Sequence, residues 1–208
     1  MGFYAQRVIP RLIEWSMSGA ALANHRRQLL ADVTGRVLEI GFGTGLNLAY
    51  YPETITDLTV IDPNPGVNAI AQRRIDRSPL SIKARPISGE ALPMNDCSFD
   101  TVVSTWTLCS IDRVNQAIAE IHRVLKPTGR FIFIEHGLSP DLGISAWQNR
   151  LTPLQKIIAD GCRINRPIAD LIEQQFELLS IDRFYEPSLP KVAGYFYKGM
   201  AKPRQPAG

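Results

Sequence analysis

Two sets of residues have the types and spacing that could do chemistry. The first is Gly41-Phe42-Gly43-Thr44-Gly45, followed about 20 residues on by an acid, Asp62. Glycines let a backbone turn sharply and approach a ligand closely. A helix starting behind such a turn points free N–H groups into the same space. A carboxylate at the end of the next strand can accept hydrogen bonds from both hydroxyls of a ribose. The turn and the acid together outweigh the plainer alternative of a tight turn beside a solvated Asp. A dinucleotide reader wants glycines at the first, third and sixth positions. Those positions here are Gly41, Gly43 and Leu46, and the third glycine comes early, at Gly45. The spacing therefore disfavours a pyrophosphate ligand and, with it, an NAD-dependent Rossmann oxidoreductase, which is the alternative from a different class. Glu39 adds negative charge near the turn, which suits a ligand carrying an ammonium or sulfonium group.

The second set lies further along. Glu135-His136 ends a strand. His136 could accept a proton, because an unperturbed imidazole pKa of about 6.5 suits that task. A hydrogen-bonded His that holds its loop is the alternative. Cys109 reads as a buried small residue rather than a nucleophile. The run Gly161-Cys162-Arg163-Ile164-Asn165-Arg166 combines a turn with polar groups that either shape a pocket or cap a helix and carry surface charge. Cys97, Cys109 and Cys162 lie far apart with no C-x-x-C, and no H-E-x-x-H is present. Neither a disulfide framework nor a metal site is expected. Free thiols fit a reducing compartment, so a cytoplasmic location is expected.

Positioning these groups takes alternating strands and helices. Strands are predicted at 36–40, 58–62, 80–87, 100–105 and 130–135, with a helical start after Gly45 and a helix from Pro63-Asn64-Pro65 to about Arg77. The clearest helix runs from Asp112, as N-cap, to Leu125. Its apolar stripe is Val114, Ala117, Ile118, Ile121, Val124 and Leu125, and Pro127 and Gly129 stop it. The strand at 130–135 is apolar on both faces, which places it in a sheet covered on both sides. An α/β fold with a mostly parallel sheet follows. The first 30 residues read as helix, with Tyr4, Val8, Ile9, Leu12, Ile13 and Met17 at helical spacing and a kink or new start at Pro10. Beyond His136 the alternation breaks, and Trp147, Leu151, Leu154, Ile157 and Ile158 form an apolar stripe. Two strand-like runs, 176–184 and 192–200, close the chain as an antiparallel hairpin.

Composition bounds the reading. The chain has 208 residues, 45% hydrophobic and 21% charged. That balance is close to a soluble globular average and excludes disordered, fibrous and membrane-spanning classes. A net charge of +3, with no Lys/Arg run, argues against nucleic acid as a partner. No stretch is apolar enough to span a bilayer, which leaves peripheral contact with a membrane surface open. One domain over 1–208 is expected: a helical lid (1–35), a ligand-binding core (36–137), an insert (138–175) and the closing hairpin (176–203).

Leu38-Glu39-Ile40-Gly41-Phe42-Gly43-Thr44-Gly45 resembles the first motif of the class I S-adenosylmethionine-dependent methyltransferases. Val60-Ile61-Asp62-Pro63-Asn64-Pro65, Gly89-Glu90-Ala91-Leu92-Pro93, Ser98-Phe99-Asp100-Thr101-Val102-Val103 and Leu125-Lys126-Pro127-Thr128-Gly129-Arg130 resemble that family's later segments, in the family's order. The resemblance implies a Rossmann-like, mostly parallel seven-stranded sheet, a reversed last strand, S-adenosylmethionine as cofactor and S-adenosylhomocysteine as its product. Gly41, Gly43 and Gly45 would line the methionine moiety. Asp62 would hold the ribose and Pro63 would flank the adenine. Glu90 and Ala91 would meet the adenine edge, and Thr105 and Trp106 would flank the methyl group. Many relatives carry Asp at position 90 and a small residue at 42, where this chain has Glu and Phe.

Thr107-Leu108-Cys109-Ser110, Ile134-Glu135-His136, Asp160-Gly161-Cys162 and Asn165-Arg166 resemble a narrower branch, the thiol S-methyltransferase-like group of the methyltransferase type 11 family, whose animal members are membrane-associated. The resemblance implies a small, lipophilic thiol acceptor, and His136, from its place at the strand end, is the catalytic candidate. The near alternative is a quinone-precursor or phospholipid-amine methyltransferase.

Overall fold

The computed structural model describes residues 9–204. Its framework is one seven-stranded sheet built from β1 (Arg36–Ile40), β2 (Asp57–Ile61), β3 (Ile82–Arg85), β4 (Phe99–Thr105), β5 (Leu125–His136), β6 (Phe176–Tyr185) and β7 (Tyr195–Pro203). The order across the sheet is β3-β2-β1-β4-β5-β7-β6. The first five strands are parallel, while β7 runs antiparallel to both β5 and β6. The mostly parallel sheet and its closing hairpin are as the sequence predicted.

Strand alternation explains why both faces must be covered. Leu38, Ile40, Val102, Phe131 and Phe133 enter one apolar cluster together with Ile118 and Ile121 of α4 (Val114–Val124) and Ile168 and Ile172 of α6 (Ile168–Glu173). The intervening residues Val37, Val103, Ile132 and Ile134 enter a second cluster on the opposite face. They pack there with Leu22, Leu29 and Leu30 of α2 (Ala20–Leu30) and Ala71 of α3 (Pro65–Ile75). Consecutive side chains point to opposite faces of a strand, so these runs are apolar throughout.

Local structure departs from expectation in several places. The segment after Gly45 forms a 3-10 helix, Leu46–Tyr50, rather than an α-helix. Asp112 does not cap α4. The helix starts at Val114 with Arg113 in the cap position, and Asp112 pairs instead with Arg163. Pro127 and Gly129 do not end α4, because the chain has already entered β5 at Leu125; a register shift between Phe99 and Thr101 accompanies this irregular strand start. The N-terminal helix is two helices, α1 (Ile9–Met17) and α2, separated at Ser18-Gly19. Pro10 sits in the first turn of α1, where its missing N–H costs nothing. Tyr4 and Val8 fall outside the described residues.

The segment beyond β5 carries α5 (Leu142–Ile158). Of its apolar stripe, Leu151 packs against Cys109, Cys162 and Ile164, whereas Trp147 is 54% exposed, Leu154 56% and Ile157 70%. Buried instead are Gln148 and Thr152. The Gln148 amide donates to the carbonyls of Gly137 and Val192, and its oxygen accepts from the Ser139 N–H. The helix is docked by polar bonds to loop backbone. No described helix is long and apolar enough to cross a membrane.

Candidate active site

Strand order reverses between β1 and β4, both of which leave the sheet at the same edge. Ligands of open α/β sheets bind outside such a switch point. A cavity of about 560 Å³ lies there, within the range of small-molecule and cofactor sites. Gly41, Gly43, Asp62, Pro63, Glu90, Thr105, Trp106 and His136 all line it. Glu39, Gly45 and Ala91 do not. Gly45 packs against the Phe42 ring, and Phe42, the large residue of this turn, itself lines the cavity. Ala91 faces solvent.

The glycine turn is tied to the acid directly. Asp62 accepts from the Gly43 N–H at 2.8 Å and from the Asn64 N–H at 2.8 Å. Burial pushes its carboxyl above the ordinary range, and these two donors pull it back. Gly41 adopts a φ of +72°, and a Cβ there would lie 2.0 Å from the Thr107 hydroxyl oxygen. Gly43, with φ +57°, meets nothing closer than 4.0 Å at the same position, so its bare Cα faces open cavity. A Cβ would fill the space a ligand needs.

Glu39 sits one layer behind the wall. It is buried and accepts from the Asn47 amide and the Tyr51 hydroxyl, each at 2.8 Å. Burial pushes its carboxyl up to about 7. Asn47 lines the cavity, donates to Thr105 Oγ1 as well, and accepts from Arg26 Nε. Arg26 is buried, donates to the Met17 carbonyl and lies 4.8 Å over the Trp106 ring. Its guanidinium therefore reaches the cavity from α2. Nothing local in the sequence marks Arg26 for this role, because it depends on α2 packing against the 3-10 helix and β5. The Trp106 indole N–H, buried in this wall, has no acceptor among the described residues. A bare glycine cradle, an unpartnered buried donor, a buried guanidinium and a carboxylate together fit a polar ligand with a ribose and a charged amino-acid end.

The other end of the cavity is built by β5 and the segment after α5. Glu135 is buried at the end of β5 and accepts from the Ser104 hydroxyl and from the N–H groups of Thr107 and Cys109. It thereby fixes the loop after β4. Burial pushes its carboxyl up. Arg166 donates to the carbonyls of Leu108 and Ile111, and the Arg163 N–H donates to the Cys109 carbonyl. The 161–166 run is thus a clamp on the 107–111 loop rather than surface charge. It brings Cys162 beside Cys109, with the sulfurs 3.5 Å apart. His136 Nδ1 stands 3.8 Å from the Cys109 sulfur and 3.9 Å from that of Cys162. The expectation of scattered cysteines with no metal-ligand grouping does not hold for these two: the fold closes a gap that no spacing motif shows. The neighbouring Cys162 sulfur and burial hold the Cys109 thiol well above its ordinary pKa. Asp160, just after α5, accepts from the Asn64 amide across the cavity at 3.0 Å.

The family profile described as a methyltransferase domain matches residues 38–133. Thiol S-methyltransferase TMT1B of Rattus norvegicus is 36% identical over 155 residues, covering 70% of this chain and 62% of that protein. Thiol S-methyltransferase TMT1A of Homo sapiens is 30% identical over 198 residues, covering 85% and 80%. This chain thus spans about three fifths of the rat protein and four fifths of the human one. The crystal structure of N-methyltransferase NodS from Bradyrhizobium japonicum, in complex with S-adenosylhomocysteine, superposes with a TM-score of 0.70 at 16% identity over 92% of each chain. At that identity the likeness speaks for the fold alone.

Proposed function

The chain belongs to the class I S-adenosylmethionine-dependent methyltransferases, of the methyltransferase type 11 group, and from that premise we propose that it moves the cofactor's methyl group to a small thiol. One observation carries the proposal: a single cavity joins the Asp62-anchored glycine turn to the end occupied by His136 and Cys162. Its likeness to two thiol S-methyltransferases supports the choice of acceptor.

When bound, S-adenosylmethionine supplies a methyl carbon on a sulfonium, open to in-line displacement. The residues of the chain bind and align, which is most of what such a reaction requires. Asp62 accepts from the ribose hydroxyls. Pro63 and Glu90 bracket the adenine. Arg26 pairs with the amino-acid carboxylate, and Asn47, positioned by Glu39, supports the same end. Gly41 and Gly43 lie against the methionine chain. Thr105 and Trp106 flank the methyl group, and His136 stands where the acceptor arrives. The apolar side chains of Leu189 and Phe196 line that part of the wall, which suits a lipophilic acceptor. Free thiols in the described chain fit a reducing compartment, and a cytoplasmic setting belongs to the same proposal.

Two measurements test this. Calorimetry should give tight binding of S-adenosylhomocysteine and none of NADH; the reverse result would remove the reading. An acceptor screen read by released S-adenosylhomocysteine should favour aryl and alkyl thiols over amines and phenols. Turnover confined to phenols or amines would move the assignment to the quinone-precursor or phospholipid-amine class.

A further inference from the structure

Cys109, His136 and Cys162 come from three separate segments, yet their ligand atoms lie within 4.8 Å of one another. Their separations are 3.5 Å between the sulfurs and 3.8 and 3.9 Å from each sulfur to His136 Nδ1. A tetrahedral zinc ion, with Zn–S about 2.3 Å and Zn–N about 2.0–2.1 Å, requires edges of about 3.8 Å between sulfurs and about 3.6 Å from sulfur to nitrogen. The triangle matches those edges to within about 0.3 Å. A disulfide would need the sulfurs at about 2.05 Å, and both cysteines are free thiols.

Each corner is held independently. Cys109 is gripped through its backbone, donating to Glu135 and accepting from the Arg163 N–H. Cys162 follows Gly161, whose φ of +89° and approach to the Ser110 carbonyl leave no room for a Cβ. The His136 ring packs edge-on to Phe196 at 5.0 Å. His136 and Cys162 line the cavity, whereas Cys109 is buried behind them. Three rigid ligands with a fourth side open to a substrate cavity is the pattern of catalytic rather than structural zinc, in which a fourth protein ligand closes the site.

We propose that Cys109, His136 and Cys162 form a Cys₂His site for a thiophilic divalent cation, Zn²⁺ foremost, whose fourth position faces the cavity and takes the sulfur of the acceptor thiol. The metal site stands on its own geometry; the thiol as fourth ligand rests on the acceptor class proposed above. Loading the ion on the two thiols releases two protons to solvent. Binding of the acceptor thiol releases its S–H proton, since a thiol coordinated to zinc is deprotonated. In the transfer, a sulfur lone pair of the acceptor forms the new S–CH₃ bond. The methyl–sulfonium bond breaks, and its electron pair stays on the cofactor sulfur, giving the neutral thioether of S-adenosylhomocysteine. The thioether product is a weaker, uncharged ligand and leaves. In this arrangement His136 holds the metal, and the metal rather than the imidazole generates the nucleophile.

The full chain, purified from zinc-supplemented medium and dialysed, should carry close to one zinc per chain. Replacement by Co²⁺ should give the intense visible bands of tetrahedral cobalt together with thiolate-to-cobalt charge transfer. C162S, C109A and H136A should each lose or strongly alter that spectrum. S-adenosylhomocysteine binding by calorimetry reports that each variant is folded. Thiophenol added to the cobalt protein should shift the visible bands. Sub-stoichiometric metal in wild-type protein that still binds S-adenosylhomocysteine would overturn the metal site while leaving the methyltransferase assignment intact. A Cys109–Cys162 disulfide as the resting form, without metal, would do the same. Full zinc loading with a cobalt spectrum that thiophenol leaves unmoved, and no turnover of thiols, would overturn the open fourth position and the thiol acceptor together.

Discussion

Asp62 shows how much one side chain can be asked to do. Its two oxygens hold the Gly43 and Asn64 N–H groups, so the same carboxylate fixes the turn and offers its remaining lone pairs to a ligand. Replacing Asp62 with Ala should weaken S-adenosylhomocysteine binding by about 1–3 kcal/mol, the scale of lost hydrogen bonds to a charged group; calorimetry showing unchanged affinity would refute its ribose role. The glycines separate in the same way. At Gly41 a new Cβ strikes Thr107, whereas at Gly43 it stands in the cavity. G41A should therefore lower the melting temperature more than G43A, and G43A should cost more cofactor affinity than its loss of stability accounts for. Melting curves and titrations on the two variants check both halves. The spacing of Gly41, Gly43 and Asp62 is visible in sequence because one local turn and one strand end create it. Arg26, Asn47 and the Cys109–Cys162 approach are not, since each depends on which distant segments the sheet order brings together.

At the level of elements, periodicity identified the helices but not always the face that packs. Apolar spacing correctly put Ile118 and Ile121 of α4 into the core. The same rule does not say how α5 docks, because its docking uses Gln148 against the carbonyls of Gly137 and Val192 and the Ser139 N–H. A stripe records where apolar residues lie, and only the partner surface decides whether that stripe is covered. Two substitutions on this helix make the distinction measurable. Gln148→Leu strands buried backbone groups and should cost at least ~1–3 kcal/mol in urea unfolding. Trp147→Ala, on the exposed side, should stay within about 0.5 kcal/mol of wild type. If the exposed tryptophan proves the costlier loss, α5 docks through its apolar face and the polar anchoring described above is wrong. The strands were easier: runs such as Phe131-Ile132-Phe133-Ile134 feed both apolar clusters, so their sequence needs no choice of face.

For the molecule as a whole, the layer beneath the cavity links stability to pH. Glu39 lies in β1, beside the central strand β4, buried, with Tyr51 and Asn47 as donors and Arg26 beyond. Burial outweighs these partners and raises its carboxyl from an ordinary 4.5 to about 7. The folded chain therefore holds this proton more tightly than the unfolded chain does. The sign follows from linkage: between the two pKa values the native state binds more protons, so stability falls as pH rises. The contribution is fully present below pH 4.5 and lost as pH passes through about 7. Its size is on the order of 3 kcal/mol, because each tenfold difference in proton affinity between the two states is worth about 1.36 kcal/mol. Asp62, raised in the same direction by burial, adds to the slope. Asp100 and Glu120, lowered chiefly by Lys126 and Arg123 respectively, act at more acid pH with the opposite sign. The ligand-free protein should therefore melt at its highest temperature in mildly acid buffer and lose stability toward pH 8. Glu39→Gln keeps the shape of the side chain and can still accept from Tyr51 while carrying no charge. It should flatten the decline between pH 5 and pH 8, and its melting temperature should draw level with or pass that of wild type at the alkaline end. A parallel decline in both proteins would place the pH-sensitive group elsewhere and make Glu39 an ionised carboxylate throughout this range.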